Sequence, residues 1–133
     1  MQEKIGAVSR DVFKASTALA GGVARQGETC GALTGAILGI GSLIGRERLE
    51  DKGQLLKAYE PSIRAYGLFR EKVGHSLCWE IHKIRYGKPY RLYIPEERQA
   101  FHNAGGHSRT GCPEVCGIAA RIAGEIILDL KKA

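Results

Sequence analysis

Residues 29–45 read TCGALTGAILGIGSLIG, the longest run of this chain without a charged side chain, and Arg46 ends it. Apolar residues occupy nearly every side of a helix drawn through this run, which is typical of a helix at the centre of a protein. The run is marginally short for a membrane span and is interrupted repeatedly by glycine. We therefore predict a buried core helix and no transmembrane segment.

Three glycines in this run, Gly31, Gly35 and Gly39, are four residues apart and lie on one stripe of the helix. Glycine inside a helix costs about 1 kcal/mol relative to alanine. Three on one stripe indicate that another backbone or a cofactor lies against it. Gly31 and Gly35 are therefore candidate cofactor-binding residues.

The composition predicts a single all-α domain over residues 1–133. Hydrophobic residues make up 44% of the chain, enough for a real core, while a charged content of 26% argues against disorder. Helical periodicity runs through the sequence, and no strong strand alternation is present. We predict a helical bundle of four to six helices.

The other predicted helices flank the central one. A first helix places Ile5, Val8 and Val12 on one face and ends near residues 21–22. A long helical region covers about residues 49–73, where Pro61 should kink or split it. Its predicted apolar side consists of Leu56, Tyr59, Ile63, Tyr66, Phe69 and Val73.

The remaining elements lie in the second half of the chain. Ser76 can cap a short helix, and the last helix begins at Cys112, followed by Pro113 and Glu114. Residues 86–111 contain many glycines and prolines, so we predict a long irregular loop that acts as a functional loop or lid.

Two of the four cysteines lie at predicted helix starts. Cys30 follows Thr29, a plausible N-cap, and Cys112 begins the last helix. Free backbone N–H groups and the positive dipole end favour a thiolate there, so we predict a depressed pKa for both thiols. Arg25 lies close to Cys30 in sequence, which predicts that Cys30 is the most reactive thiol.

The four cysteines are compatible with several functions. Cys30, Cys78, Cys112 and Cys116 are candidate catalytic thiols, and together they could supply four ligands to zinc or an iron–sulfur cluster. The Cys112–Cys116 spacing differs from the usual Cys-x2-Cys pair. A buried cysteine can also act simply as a small hydrophobe. No Cys-x-x-Cys-His motif is present, so no covalent haem is expected.

The histidines are weaker candidates for functional residues than the cysteines. His75 and His82 share a helical stripe with Cys78, and His75 is a candidate cofactor-binding residue. A hydrogen-bonded or solvated histidine is the commoner outcome for such spacings. His102 and His107, in the predicted loop, are candidates for acid–base work near neutral pH.

The net charge of +6 is compatible with an anionic partner and with plain solubility. Residues 82–93 mix cations with aromatics, but the stretch is short and is followed by Glu96 and Glu97. This favours a solvated loop or an acidic protein partner over nucleic acid. The N-terminus has no secretory signal pattern, so a reducing cytoplasm is expected, where cysteines are typically catalytic, redox-sensing or metal-binding.

Three segments resemble the redox-active protein family named for its C…GCAxxG…C…C pattern. They are GETCGALTGA at residues 27–36, FREKVGHSLCWEI at residues 69–81, and CPEV at residues 112–115. The resemblance spans roughly residues 12–131. It implies a helical, redox-active protein, related in sequence to part of a split-Soret cytochrome, in which Cys30, Cys78 and Cys112 converge on one pocket.

The chain departs from this family in one respect. Family members usually carry another cysteine in a helix before the glycine turn, and residues 1–26 contain none. Either the chain starts late or Cys116 replaces that thiol. Because the first helix has a partly apolar face and the pattern lacks the family's usual preceding helix, apolar surface should be left for a second copy, which predicts a homodimer.

Two functions follow from these observations. The first is a redox-active protein that uses thiol–disulfide or metal-linked electron-transfer chemistry, with a redox partner protein. The second is a non-catalytic helical module whose cysteines hold zinc or stay free while its basic loop binds an acidic partner. The sequence leaves open whether the protein is an enzyme.

Overall fold

The computed structural model describes residues 2–133, which fold into helices connected by turns and loops. These residues form seven α-helices and one 3-10 turn, at Thr17–Leu19, with no β-strand. The helices are α1 (Gln2–Ile5), α2 (Arg10–Ala15), α3 (Gly31–Ile44), α4 (Lys52–Val73), α5 (Cys78–Tyr86), α6 (Pro95–Asn103) and α7 (Cys112–Lys132). The all-α prediction is confirmed, and the predicted count of four to six helices is one too low.

Helices α3, α4 and α7 pack against each other and supply most of the core. On α3, Leu33 and Ile40 are buried, as the predicted central helix requires. On α7, Ile122 and Ile127 face the same core. Burying a large aliphatic side chain contributes about 1.5–3 kcal/mol, so this three-helix contact is the main source of stability.

The predicted first helix is broken into two short ones. Gly6 adopts a left-handed φ of 65°, which an α-helix cannot contain. Ser9 then starts α2, because its side chain accepts a hydrogen bond from the Val12 N–H. The apolar spacing was therefore correctly read as helical, but the glycine and serine divide it.

The predicted irregular loop at residues 86–111 contains helix α6. Pro95 occupies its first turn with Glu96 and Glu97. Proline at a helix start and acidic residues in the first turn are both helix-start signals. The prediction of an unbroken irregular loop is wrong because proline acts there as a helix initiator.

Helix α4 continues through Pro61 and turns a different face to the core than predicted. Its buried residues are Pro61, Ala65, Phe69 and Val73. The predicted apolar side is exposed over most of its length, and we call its four outer residues the α4 stripe: Leu56 (68% exposed), Tyr59 (54%), Ile63 (67%) and Tyr66 (42%). The small Ala65 and compact Pro61 leave room for neighbouring helices, which the larger stripe residues would not.

Within residues 2–133, no helix is long and apolar enough to cross a membrane.

Candidate functional site

The chain before α3 makes an unusual left-handed turn. Residues 21–25 all have positive φ, with values of 70°, 73°, 59°, 51° and 66°, although only the first two are glycine. The left-handed conformation costs roughly 1–2 kcal/mol for each non-glycine residue. The turn closes with hydrogen bonds from the N–H groups of Gly27 and Glu28 to the carbonyls of Gly21 and Gly22.

This turn presses the backbone of Gly22 against Cys78. A methyl group on Gly22 would lie 2.7 Å from Cys78 Cβ and 2.6 Å from the backbone N and O of Glu28. Only glycine fits such a close approach at a positive φ. The left-handed turn therefore forms one wall of the space around Cys78.

The starts of α3 and α5 are tied together by backbone hydrogen bonds. The Cys30 N–H donates to the Ser76 carbonyl at 2.9 Å, and the Cys78 N–H donates to the Glu28 carbonyl at 2.8 Å. Cys30 is the N-cap residue of α3, and Cys78 is the first residue of α5. The predicted N-cap, Thr29, is thus wrong by one residue. The two hydrogen bonds bring the Cys30 and Cys78 thiols together at the starts of two helices.

The other two thiols come from the start of α7. Cys112 is its first residue, its N–H donates to the Gly106 carbonyl at 2.9 Å, and Cys116 follows one turn later. All four cysteines are free thiols and line one cavity of about 350 Å³. The predicted convergence of Cys30, Cys78 and Cys112 on one pocket agrees with this arrangement.

The cavity is lined mainly by small and apolar residues. Its lining consists of Ser16, Leu19, Ala20, Gly21, Cys30, Gly31, Ala32, Gly35, Cys78, Ile81, His82, Leu92, Phe101, His107, Cys112, Val115 and Cys116. None of these side chains is a carboxylate, an amine or a guanidinium. The thiols therefore lie in an environment with little to stabilise a charge.

Burial controls the ionisation of the thiols. It raises the pKa of Cys30 above its ordinary value, even though the N–H groups of Ala32 and Leu33 act in the opposite direction. It also raises the pKa of Cys112, which a hydrogen bond from Tyr86 and the charge of Arg85 partly offset. The predicted depressed pKa values are wrong, because desolvation outweighs the helix-start N–H groups.

The four thiols influence one another's ionisation. Burial first, and then the charges of an ionised Cys30 and an ionised Cys112, raise the pKa of Cys78 to about 12. The charge of Cys30 also raises the pKa values of Cys112 and Cys116. Cys30 and Cys112 are therefore each close enough to interact with the other three sulfurs. Arg25, predicted to assist Cys30, is exposed and is not among the groups that shift its pKa.

His82 is the main residue that sequence reasoning discounted. It is 1% exposed, and its Nε2 lies 3.6 Å from Cys78 Sγ. Its Nδ1 is buried and has no hydrogen-bond partner among the described residues. Burial lowers the pKa of His82. The sequence did indicate that His82 and Cys78 are neighbours, because residues four apart lie on the same face of a helix.

An aromatic cluster surrounds His82. Its ring stacks on Phe101, with centroids 4.7 Å apart, and meets Tyr86 and Tyr90 edge-on. Gly106 lies so close to Phe101 that a methyl group there would be 2.3 Å from the ring. Helix α6 and the turn before α7 thereby position Phe101 at the cavity. The Tyr86 hydroxyl reaches Cys112 Sγ at 3.9 Å.

The other predicted histidines separate into two groups. His75 lies outside the cavity lining, and its Nδ1 accepts a hydrogen bond from the Leu77 N–H at 3.0 Å, so it shapes the turn before α5. His107 lines the cavity, and its Nδ1 lies 3.0 Å from Nδ1 of the exposed His102. Acid–base work by this pair stays a prediction.

The glycine stripe serves two purposes. A methyl group on Gly31 would lie 2.9 Å from the Leu19 carbonyl oxygen, so Gly31 meets another backbone as predicted. At Gly35 a methyl group would meet no described atom within 4 Å. Gly35 therefore borders open space rather than packing against a neighbouring helix, and it lines both the thiol cavity and a second cavity that includes Val8 and Phe13. A cofactor-binding role for either glycine stays a prediction.

The thiols do not form a preassembled metal site. In the part of the chain that the structure describes, no three His, Cys, Asp or Glu side chains are grouped so as to hold a metal ion. Zinc and iron–sulfur sites require four such ligands, or three with an open position. As they lie, Cys30, Cys78, Cys112 and Cys116 do not fit either group.

The basic stretch at residues 82–93 is largely paired within the chain. Arg91 binds Glu97, Lys83 binds Glu80 at 2.8 Å, and Arg85 binds Glu114 at 2.7 Å. These pairs leave less free positive charge for an acidic partner than the sequence alone indicates.

Three comparisons with known proteins bear on this site. A family model described as "Putative redox-active protein (C_GCAxxG_C_C)" matches residues 1–126. No curated protein matches the chain. No solved structure matches it either.

Proposed function

Because this chain belongs to the redox-active protein family defined by the C_GCAxxG_C_C pattern, we propose that it performs thiol–disulfide chemistry with Cys30 as the central sulfur. The observation that carries the proposal is the lining of one uncharged cavity by all four thiols. Cys30 is chosen because it interacts with each of the other three thiols, as Cys112 also does, and because the N–H groups of Ala32 and Leu33 at the start of α3 act on its sulfur. A metal-linked version has less support, because the ligands are not grouped for a metal.

The proposed reaction oxidises two thiols to one disulfide. The Cys30 thiolate attacks an external disulfide and forms a mixed disulfide, releasing one thiolate. Cys78, Cys112 or Cys116 then attacks the Cys30 sulfur and releases the second. Two S–H bonds break and one protein S–S bond forms, while the external disulfide takes two electrons and two protons to become two thiols.

The test uses 4,4′-dithiodipyridine, a neutral aromatic disulfide whose product absorbs in the ultraviolet. With one equivalent of this reagent per reduced native chain, we expect two equivalents of product, one protein disulfide and no lasting adduct by intact-mass spectrometry. Cys30→Ser should lose the disulfide and keep a mixed adduct. Of the matched variants Cys78→Ser, Cys112→Ser and Cys116→Ser, only the resolving one should behave in the same way. Native-rate disulfide formation in Cys30→Ser would contradict the assignment.

We also propose a reducing cytoplasmic setting and a redox partner protein. Four free thiols are the ordinary state in that compartment. A protein disulfide cycle there needs a donor or acceptor of electrons. If no thiol pair reacts in the test above, the non-catalytic helical module becomes the better description.

We further propose that the chain forms a homodimer through the α4 stripe. Its residues are spaced by three, four and three positions, the interval that lets two helices interlock. The exposed flanking charges are mixed, with Lys57 and Arg64 on either side of Glu60 in sequence. In an antiparallel two-fold pair, opposite charges from the two copies can meet along the stripe.

A further inference from the structure

The end of α5 is bound tightly to the start of α7. Arg85 donates to the Thr110 carbonyl at 2.9 Å and to the Glu114 carboxylate at 2.7 Å. These two partners lie two residues before and two residues after Cys112. The Arg85 side chain is only 17% exposed, and hydrogen bonds between charged groups are among the stronger ones in proteins. Together these bonds hold Cys112 against the end of α5.

Tyr86, the last residue of α5, places its hydroxyl at that sulfur. The O–H donates to Cys112 Sγ across 3.9 Å. The ring lies edge-on to Phe101 and His82, with centroids 5.2 Å and 5.8 Å away. Burial raises the pKa of Tyr86, and the charge of an ionised Cys112 raises it further, so the hydroxyl remains a donor at neutral pH. A hydrogen bond from such a donor stabilises a thiolate more than a thiol.

Cys30 and Cys112 differ from the other two thiols in having groups that favour their ionised forms. Backbone N–H groups at the start of α3 act on Cys30. On Cys112 the Tyr86 hydroxyl and the charge of Arg85 act in the same direction. At the other two thiols, burial and neighbouring thiolates all raise the pKa. Because the attacking group in disulfide exchange is a thiolate, Cys30 and Cys112 are the best-supported pair.

The contact between Cys78 and His82 favours the opposite state of the sulfur. Cys78 Sγ and His82 Nε2 are 3.6 Å apart. Burial is the main cause that raises the pKa of the thiol to about 12, and burial also lowers the pKa of the imidazole, so both groups are neutral. Moving the thiol proton to the imidazole would create two charges in a buried place, which is costly. Cys78 is therefore a poor attacking thiol despite its histidine neighbour.

We propose that Cys112 is the thiol that resolves the mixed disulfide on Cys30, and that Tyr86 is a catalytic hydrogen-bond donor to the Cys112 sulfur. This assignment rests on the proposed thiol–disulfide function and identifies the second cysteine of its disulfide.

The resolving step is a single exchange of sulfur partners. Cys112 loses its proton to water and attacks the Cys30 sulfur. The bond between Cys30 and the external group breaks, the Cys30–Cys112 bond forms, and the external group leaves as a thiolate that takes up a proton. Tyr86 keeps its own proton and stabilises the attacking sulfur. In the reverse reaction, an external thiolate attacks Cys30, and the same hydroxyl stabilises Cys112 as the leaving thiolate.

The test follows both steps of the reaction with 4,4′-dithiodipyridine by stopped-flow absorbance, since each step releases one equivalent of product. Tyr86→Phe keeps the ring and removes the hydroxyl. Loss of one hydrogen bond to a charged group lowers the thiolate fraction roughly tenfold, and the higher nucleophilicity of the less acidic thiol offsets part of this, so the second step should slow at least about threefold. The first step should keep its rate, because Tyr86 is not among the groups that act on Cys30. A distorted cavity would slow both steps.

Tyr90→Phe is the matched control. Tyr90 lies edge-on to His82 in the same aromatic cluster, but it is not among the groups that act on Cys112. Both steps should keep their native rates in this variant. Circular dichroism checks the folding of both variants. Peptide mass spectrometry of the oxidised native chain needs no substitution and should locate the disulfide between Cys30 and Cys112.

The hydrogen bond is also tested without any disulfide, in a chain that keeps Cys112 and has serine at the other three cysteine positions. In this background, Tyr86→Phe should slow alkylation by iodoacetamide at neutral pH at least about threefold, for the same reason. Tyr90→Phe should leave the rate unchanged. Equal alkylation rates with and without the Tyr86 hydroxyl overturn its catalytic role.

The outcomes separate this assignment from the proposed function. A disulfide that joins Cys30 to Cys78 or to Cys116, or a native second step in Tyr86→Phe, overturns the assignment and leaves the thiol chemistry standing. A native chain that forms no disulfide with the reagent overturns the proposed function and the resolving role of Cys112 together.

Discussion

The ionisation of the four thiols is decided by their burial, residue by residue. Helix starts ordinarily favour thiolates, and Cys30 does receive the N–H groups of Ala32 and Leu33. Burial outweighs them because the cavity offers no cation. Sequence reasoning placed Cys30 and Cys112 at helix starts, where the structure has them, but it predicted the wrong direction of the pKa shift, since burial is a property of the assembled cavity and not of the local sequence.

The raised pKa of Cys78 makes stability fall in alkali. Its folded pKa is about 12, against an ordinary value of 9.0, so the unfolded thiol ionises first as the pH rises. The contribution to stability is fully present below about pH 9 and is lost progressively toward pH 12. Urea unfolding at pH 8, 9.5 and 11 should show this decline. Cys78→Ala should flatten part of it, and an unchanged slope in that variant would contradict the assignment.

The non-glycine residues of the left-handed turn are strained. Ala24 has a φ of 51° and is exposed, so replacing it by glycine removes the steric cost without removing a buried contact. We expect Ala24→Gly to raise the free energy of unfolding by about 1 kcal/mol. The matched change Ala120→Gly, at an exposed position of helix α7, should lower it by about 1 kcal/mol. Urea denaturation of both variants measures the change in the free energy of unfolding. If both substitutions lower it, the proposed backbone strain at Ala24 is refuted.

At the scale of elements, the central helix was predictable and the short ones were not. The run at residues 29–45 predicted α3 correctly because a long uncharged apolar segment is stable only when it is buried in the core. The N-terminal helices and α6 depend on single residues, Gly6, Ser9 and Pro95, that outweigh periodicity. The buried face of α4 could not be read from hydrophobicity, because close packing there selects the small Ala65 over the larger stripe residues.

The contact between the left-handed turn and α5 is expected to tolerate no side chain. Gly22→Ala would place a methyl group 2.7 Å from Cys78 Cβ and 2.6 Å from the Glu28 backbone. We expect a loss of roughly 2–3 kcal/mol of stability, at the upper end of ordinary substitutions. Thermal unfolding measures this loss. Gly41→Ala, which meets open space on α3, should be neutral or slightly stabilising, and an equal loss in both variants would argue against a specific contact.

At the scale of the whole molecule, the α4 stripe is the surface on which the proposed dimer depends. Light scattering at micromolar concentration should give twice the 14.4 kDa mass of one chain. Ile63→Asp places a charge in the stripe and should shift the protein to monomer. Leu128→Asp, at another exposed apolar position on α7, should remain dimeric. A native mass near one chain would refute the dimer.

The site itself was only partly predictable from the sequence. The four cysteines could be named as candidates because a thiol is a reactive and metal-binding group wherever it occurs in a sequence. The cavity, the stacking of His82 on Phe101 and the orphaned Nδ1 could not, because they join segments that are distant along the chain. Such contacts are made by tertiary packing and have no local pattern.

The position of Cys112 and Cys116 at the start of the final helix has a consequence during synthesis on the ribosome. Cys30 leaves the exit tunnel before α7 is synthesised, so the nascent chain holds an uncovered thiol until α7 has emerged. Side reactions of that thiol, such as mispairing with another chain, compete with folding until α7 docks against α3. Expression yield should therefore depend strongly on the reducing power of the host cell. This dependence should be greater than expected from the folded protein, in which α7 covers the cavity.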